Sequence, residues 1–218
     1  MGNKKVTASE GEFNMNSCWI YCGAPTINFN IKPPADTFII AADNGYSILK
    51  KLGIKPNILL GDFDSFTDKI PDDCEIITAP AEKDDTDTML AVKTALSKEY
   101  YDITIAASIG GRLDHTFANI QTLAYISNNG GKGKLLGEND IVYLCEKGEY
   151  FFAKPKDMYF SVFSYTDTSE ISLSGTKYPL TNYCLTNKFP LGVSNEITAE
   201  EGHLTVNSGQ IIVIFSKM

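Results

Sequence analysis

From about residue 17 to residue 136, short apolar runs alternate with amphipathic segments of helical length. No other feature restricts the fold as much. Cys18 to Cys22, Thr37 to Ala42 (TFIIAA), Ile58 to Leu60, Glu75 to Thr78 and Asp102 to Ala107 (DITIAA) read as strands. Asn44 to Leu52 reads as a helix stopped by Gly53 and Pro56. Thr86 to Lys98 repeats Met89, Leu90, Val92 and Leu96 at helical spacing, and Asp114 to Ile126 puts Phe117, Ile120, Leu123 and Ala124 on one face. Strands that are apolar throughout are buried on both sides. The expectation for residues 17–137 is therefore α/β: a Rossmann-like, mostly parallel sheet with helices on both faces. Trp19, the only Trp, falls in the first strand and is expected in the core.

The pattern changes near residue 138. Ile141 to Cys145, Tyr150 to Lys154, Tyr159 to Ser164, Glu170 to Leu173 and Thr205 to Phe215 are strand-like, with turn signals such as Lys147-Gly148, Ser174-Gly175 and Ser208-Gly209 between or within them. No useful helical period appears. Residues 138–218 are expected to form a smaller, antiparallel β-sandwich domain. Residues 1–16 are polar and are expected to be a flexible tail. They lack the apolar core of a secretory signal, and Val6 occupies the position where a myristoylation signal needs Ser or Thr.

Composition narrows the function. The formal net charge is −8 and no basic patch stands out, which argues against a nucleic-acid partner. No apolar run approaches the roughly 20 residues of a membrane span. Five cysteines are scattered without a C-x-x-C pair. This disfavours a zinc site or a disulfide framework and suits a reducing, cytoplasmic location.

The polar residues then become informative. In open parallel sheets, ligands bind beyond the carboxyl ends of the strands. Four runs end in reactive groups: TFIIAA in Asp43-Asn44-Gly45, ILL in Gly61-Asp62-Phe63-Asp64-Ser65, EIITAPAEK in Asp84-Asp85-Thr86-Asp87, and DITIAAS in Gly110-Gly111-Arg112-Leu113-Asp114-His115. The fold is expected to bring Asp43, Asp62, Asp64 and Asp87 to one edge. Carboxylates crowded together repel, and a hard cation such as Mg²⁺ resolves the conflict. Asp62 and Asp64 are one residue apart, so in an extended segment they point the same way.

Each motif has a plainer reading. A lone Asp-x-Asp is commonly a solvated turn. Asp84 and Asp85 are equally expected as helix N-caps, and Asp87 suits the first turn of a helix dipole. Gly110-Gly111 allows backbone N–H groups to approach a phosphate, and Arg112 can grip one bidentately, but Gly-Gly-Arg is more often a turn. Lys83 reads evenly as a phosphate contact or a surface lysine, and His115 reads as a helix-start residue. P-loop, dinucleotide and nucleophile-elbow motifs do not occur. The residues alone reach a Mg²⁺-dependent site for a phosphate-containing group.

In their order, ADNG (Ala42–Gly45), PNILLGDFDS (Pro56–Ser65), EKDDTD (Glu82–Asp87), GGRLDHTFANIQTL (Gly110–Leu123), SGTKYPL (Ser174–Leu180) and LGVSNE (Leu191–Glu196) resemble the thiamine pyrophosphokinases over about residues 18–216. The resemblance implies a nucleotide-binding α/β domain plus a β-sandwich, assembled as a homodimer with the active site between subunits. It implies transfer of the pyrophosphoryl group of ATP to the hydroxyl of thiamine, giving AMP. Carried over, Asp43, Asp62, Asp64 and Asp87 serve Mg²⁺–ATP. Lys83, Thr86, Gly111, Arg112, Asp114 and Asn119 line the nucleotide, joined by Asn44, Gly110 and His115 from the same loops. Ser194 and Asn195 meet thiamine from the second subunit's β-domain; by themselves they read as an ordinary turn.

Two places depart from the family pattern. Asn44 stands where a glycine is usual, and a left-handed backbone there tolerates Asn. The first strand ends Tyr21-Cys22-Gly23-Ala24-Pro25 rather than in a glycine-rich acidic turn. The alternatives are a related pyrophosphokinase acting on another hydroxymethyl compound such as a pterin, and a non-catalytic nucleotide-binding protein.

Overall fold

The computed structural model describes residues 4–5, 16–62, 74–78 and 84–218. Asp64 and Lys83 lie outside the described residues. The chain divides into two compact units, Asn14–Glu138 and the C-terminal Asn139–Met218 together with a short N-terminal strand, β1 (Lys4–Lys5).

The first unit is built on six parallel strands: β2 (Ser17–Tyr21), β3 (Phe38–Ala42), β4 (Ile58–Gly61), β5 (Glu75–Thr78), β6 (Asp102–Ala106) and β7 (Lys132–Leu136). Their order is β7-β6-β2-β3-β4-β5. Ile20, Ile40, Leu59 and Ile105 are fully buried, because these central strands are covered on both sides. β5 lies at the rim and is largely exposed, which fits its Glu75 start. Three helices follow strands: α1 (Gly45–Leu52), α2 (Asp87–Ser97) and α3 (Leu113–Asn128). The chain moves across the sheet one way through α1 and the other way through α2 and α3. Right-handed crossovers then place α1 on one face and α2 and α3 on the other. Trp19 is buried in β2, as expected.

α1 ends at Gly53, whose φ of 68° supplies the left-handed C-cap that the sequence signalled. β7 was not anticipated. Its KGKLL sequence carries a glycine and two lysines, and only Leu135 and Leu136 are buried within it.

The second unit holds β8 (Asp140–Cys145), β9 (Gly148–Ala153), β10 (Met158–Ser164), β11 (Thr168–Ser174), β12 (Leu180–Thr186), β13 (Glu201–Ser208) and β14 (Ile211–Lys217). One layer pairs β10, β14 and β8 antiparallel. The other pairs β9, β13, β11 and β12 antiparallel, with β1 added parallel to β9. Burial alternates along β11 and β13, so each shows one side to the core and one to solvent. Phe152 of β9 meets Phe160 and Phe215 of the other layer at ring-centroid distances of 5.6 and 5.5 Å. These aromatics join the two layers of the sandwich.

Candidate functional site

β2 is the first strand of its sheet. From it the chain adds β3, β4 and β5 on one side, then returns to lay β6 and β7 on the other. The connections therefore diverge between β2 and β6, and the crevice beyond their carboxyl ends is where such sheets take ligands.

The loops after β2 and β3 are packed tightly together. A Cβ on Gly45 would stand 1.9 Å from the Tyr21 carbonyl oxygen, and one on Gly23 would stand 2.7 Å from Asn44 Cβ. Both positions require glycine. Asp43 has φ of 49°, whereas Asn44 is right-handed at φ −63°. The left-handed backbone expected at Asn44 belongs instead to Asp43, because the chain reverses one residue earlier to bring Gly45 onto β2. Asn44 Oδ1 accepts from the Ser47 hydroxyl at 2.7 Å. Asp43 and Asn44 are both exposed.

Beneath them lies Cys22, whose Sγ is 3.3 Å from Thr88 Oγ1 in the first turn of α2. Burial pushes this thiol up to about 12; the Thr88 contact lowers it, and Asp87 and Asp43 add to the rise. The Cys22–Thr88 contact brings the end of β2 and the start of α2 together. Asp62 follows β4 and is half-buried.

The start of α2 differs from the N-cap expectation at Asp84 and Asp85. The cap is Thr86, whose Oγ1 accepts from Met89 N at 3.1 Å. Asp85 turns away to pair with Lys93 at 2.6 Å. Thr86 wins because a hydroxyl one residue before Asp87 meets the third amide of the helix directly, and it leaves Asp87 in the first turn, where the dipole favours a carboxylate.

After β6, Gly110 and Gly111 have φ of 117° and 67°. Gly110 N donates to Thr116 Oγ1, which also approaches the Arg112 carbonyl. Asn119 is buried and its Nδ2 donates to Ser108 O at 2.8 Å, so it fastens this loop from below. Arg112 occupies the N-cap position of α3 without a capping side-chain bond and grips Asp114 with two bonds, Nε to Oδ1 at 3.1 Å and Nη2 to Oδ2 at 2.6 Å. That grip lowers Asp114 to about 2, aided by the His115 backbone N–H. Arg112, Asp114 and His115 are exposed at the crevice end of α3.

Ser194 and Asn195 lie in the second unit. Ser194 is exposed, with φ of 56°, and its N–H donates to Ser161 Oγ. Asn195 is buried, accepts from Tyr178 N and Glu196 N, and donates to Tyr178 O. Its side chain clasps the backbone at Tyr178.

Among the described residues, no group of three or more His, Cys, Asp and Glu side chains forms a metal cluster. Asp43, Asp62 and Asp87 are the described members of the expected carboxylate set. The sequence reading missed Thr116, Ser108 and Thr88. A hydroxyl three residues into α3 was a legible sign for Thr116, but nothing local pointed to the other two.

Two family models match the chain. One describes the catalytic domain of thiamin pyrophosphokinase and covers residues 34–133. The other describes the vitamin B1 binding domain of thiamin pyrophosphokinase and covers residues 149–211. The thiamine pyrophosphokinase of Bacillus subtilis (strain 168) is 34% identical over 187 residues, 83% of this chain and 87% of that protein. The crystal structure of thiamine pyrophosphokinase from Bacillus subtilis superposes with a TM-score of 0.84 at 31% identity, covering 92% of this chain and 99% of that one. A thiamin pyrophosphokinase family protein from Enterococcus faecalis superposes with a TM-score of 0.82 at 28% identity, covering 93% and 99%.

Proposed function

The chain belongs to the thiamin pyrophosphokinase family, and we propose that it transfers the pyrophosphoryl group of ATP to the hydroxyl of thiamine, giving thiamine diphosphate and AMP. The observation that carries this reading is the meeting of loops at the diverging strands. Cys22 touches Thr88 in the first turn of α2 and bonds to the end of β6 through its backbone N–H, and Gly110-Gly111-Arg112 leads from β6 into α3. The pterin alternative has no support among the relatives.

The donor set fits Mg²⁺. Asp43, Asp62, Asp64 and Asp87 offer only oxygen, and the nearby Cys22 is held as a protonated thiol. Bound there, the ion would neutralise phosphate oxygens and the carboxylates that hold it. The chain's own groups do the rest. Arg112 and Lys83 take up charge on the transferring phosphates. Asn44, Thr86, Gly110, Gly111, Asp114, His115 and Asn119 form or support the nucleotide side. Arg112 is already aimed by Asp114, so its fork is ordered before a phosphate arrives. The thiamine hydroxyl attacks the β-phosphorus in line and AMP departs. Asp64 or Asp87 accepts the hydroxyl proton.

Residues 17–137 carry the ATP side and residues 138–218 the thiamine side in this reading. Two copies form a homodimer in which Ser194 and Asn195 reach thiamine from the second subunit. Asn195 does so through the backbone it clasps. No described helix is long and apolar enough to cross a membrane. We place the enzyme in the cytoplasm because its five scattered cysteines, with no C-x-x-C pair, suit a reducing compartment.

The test is an assay with ATP, Mg²⁺ and thiamine, following both products by chromatography. Equal amounts of AMP and thiamine diphosphate, lost on adding EDTA, are expected. ADP in place of AMP would mean attack at the γ-phosphorus and would overturn the mechanism. AMP formed only with another acceptor would move the assignment away from thiamine.

A further inference from the structure

The connection between β2 and β3 spans residues 22–37 without a helix or strand, a length at which loops are usually functional. It leaves the sheet at the crevice. Cys22 N and Ala24 N donate to the carbonyls of Ala106 and Ala107, so its first residues extend along β6. Pro25 then lies on Gly111: a Cβ there would be 2.5 Å from Pro25 Cδ, and one on Gly110 would be 3.5 Å from Pro25 O. The loop is therefore in direct contact with the Gly-Gly turn. Farther along, Tyr21 Oη donates to Ile31 O, and Phe29 is buried against the Tyr21 ring.

Between these anchors stands one carboxylate. Glu138 Oε2 accepts from Ile27 N at 2.9 Å and Oε1 accepts from Asn28 N at 3.2 Å. Two successive backbone N–H groups held by one carboxylate make a bidentate, charge-assisted clasp. Ile27 itself is 91% exposed, so its side chain does nothing to fix the backbone. Glu138 follows the carboxyl end of β7, next to β6, which places the clasp on the same edge as the Gly-Gly turn.

We propose that Glu138 is a positioning residue for the nucleotide site, holding the loop after β2 against Gly110-Gly111 through Ile27 and Asn28. This rests on the reading of Gly110 to Arg112 as the phosphate side. The clasp limits where Pro25 can sit, and Pro25 limits where the Gly111 backbone can move. Loss of the clasp lets the turn wander and weakens its grip on phosphate before it alters the chemical step.

The experiment compares wild type with Glu138→Ala, Glu138→Gln, Pro25→Gly and the control Glu75→Gln, which loses a carboxylate paired with Lys98. The readouts are amide exchange at Ile27 and Asn28, calorimetric affinity for a non-hydrolysable ATP analogue, and KM and kcat. Glu138→Ala is expected to speed both amides and to weaken analogue binding and raise KM for ATP about tenfold, with kcat within about twofold. Glu138→Gln keeps one carbonyl acceptor but sets an N–H donor against the other amide, so it should recover only part of the affinity. Pro25→Gly should weaken the analogue while leaving the two amides slow, and Glu75→Gln should change nothing.

Faster amides with unchanged analogue affinity in Glu138→Ala would overturn the proposal, as would amides that do not speed up. Unchanged affinity in Pro25→Gly would overturn it independently. If wild type binds the analogue but forms no AMP, the functional reading fails, while the comparison of affinities still decides the role of Glu138.

Discussion

Single atoms govern several features of the site. Gly45 begins α1 so close to Tyr21 that a methyl group would enter the carbonyl oxygen's volume. Gly45→Ala must push α1 off β2, and overpacking of this kind costs about 1–3 kcal/mol. Urea unfolding checks it; a loss under about 1 kcal/mol would mean that the two loops are not in this contact. Asp114 offers a test by pH. Its carboxyl is lowered from an ordinary 3.8 to about 2, first by hydrogen bonds from Arg112. A depressed folded value means that the pair's contribution is complete above the unfolded value and is lost as pH falls toward 2. Carbon NMR of the Asp114 carboxyl should show an inflection near 2, moving toward 3.8 in Arg112→Gln. An unmoved inflection would separate Asp114 from Arg112.

At the scale of elements, the cap of α2 separates two readings of the same acidic string. Thr86→Ala removes the hydroxyl that accepts from Met89 N and should destabilise the unit by about 1 kcal/mol. Asp84→Ala should leave the helix start unchanged; the reverse result would return the cap to the aspartates. The strings TFIIAA and DITIAA were legible as buried parallel strands because apolar side chains occupy both faces, and α3 was legible from its period. β7 and β12 were not. KGKLL has lysines on a half-covered strand, and LTNYCLT lies at the rim of its sheet with only Leu185 buried. A rim strand needs no apolar pattern, so its sequence carries little signal. The same holds for the site. Asp43 and Asp62 follow β3 and β4 directly and Asp87 opens α2, so position alone made them candidates, whereas the link from Glu138 to Ile27 crosses 111 residues and leaves no local trace.

At the scale of the molecule, ligand binding should appear as stability of one unit. Trp19 is the only Trp and is buried in β2, so its fluorescence reports unfolding of the unit that carries the carboxylates. A ligand present at about a hundred times its dissociation constant adds about 2.7 kcal/mol to that unit. For a chain of this size each kcal/mol moves a melting midpoint by about 2–4 °C. Mg²⁺ with ATP should therefore raise the Trp19 midpoint by several degrees, and EDTA should remove most of the rise. Asp62→Asn and Asp87→Asn separate the metal from the fold. Neither change alters side-chain volume, and Asp87→Asn gives up only a favourable charge in the first turn of α2, so the midpoint without ligand should stay within about 2 °C of wild type. The Mg²⁺-dependent rise should shrink in both, because a lost carboxylate weakens the hold on the ion. A full rise in both variants would show that these aspartates do not hold the metal. A midpoint that falls by several degrees without ligand would show that they serve the fold instead.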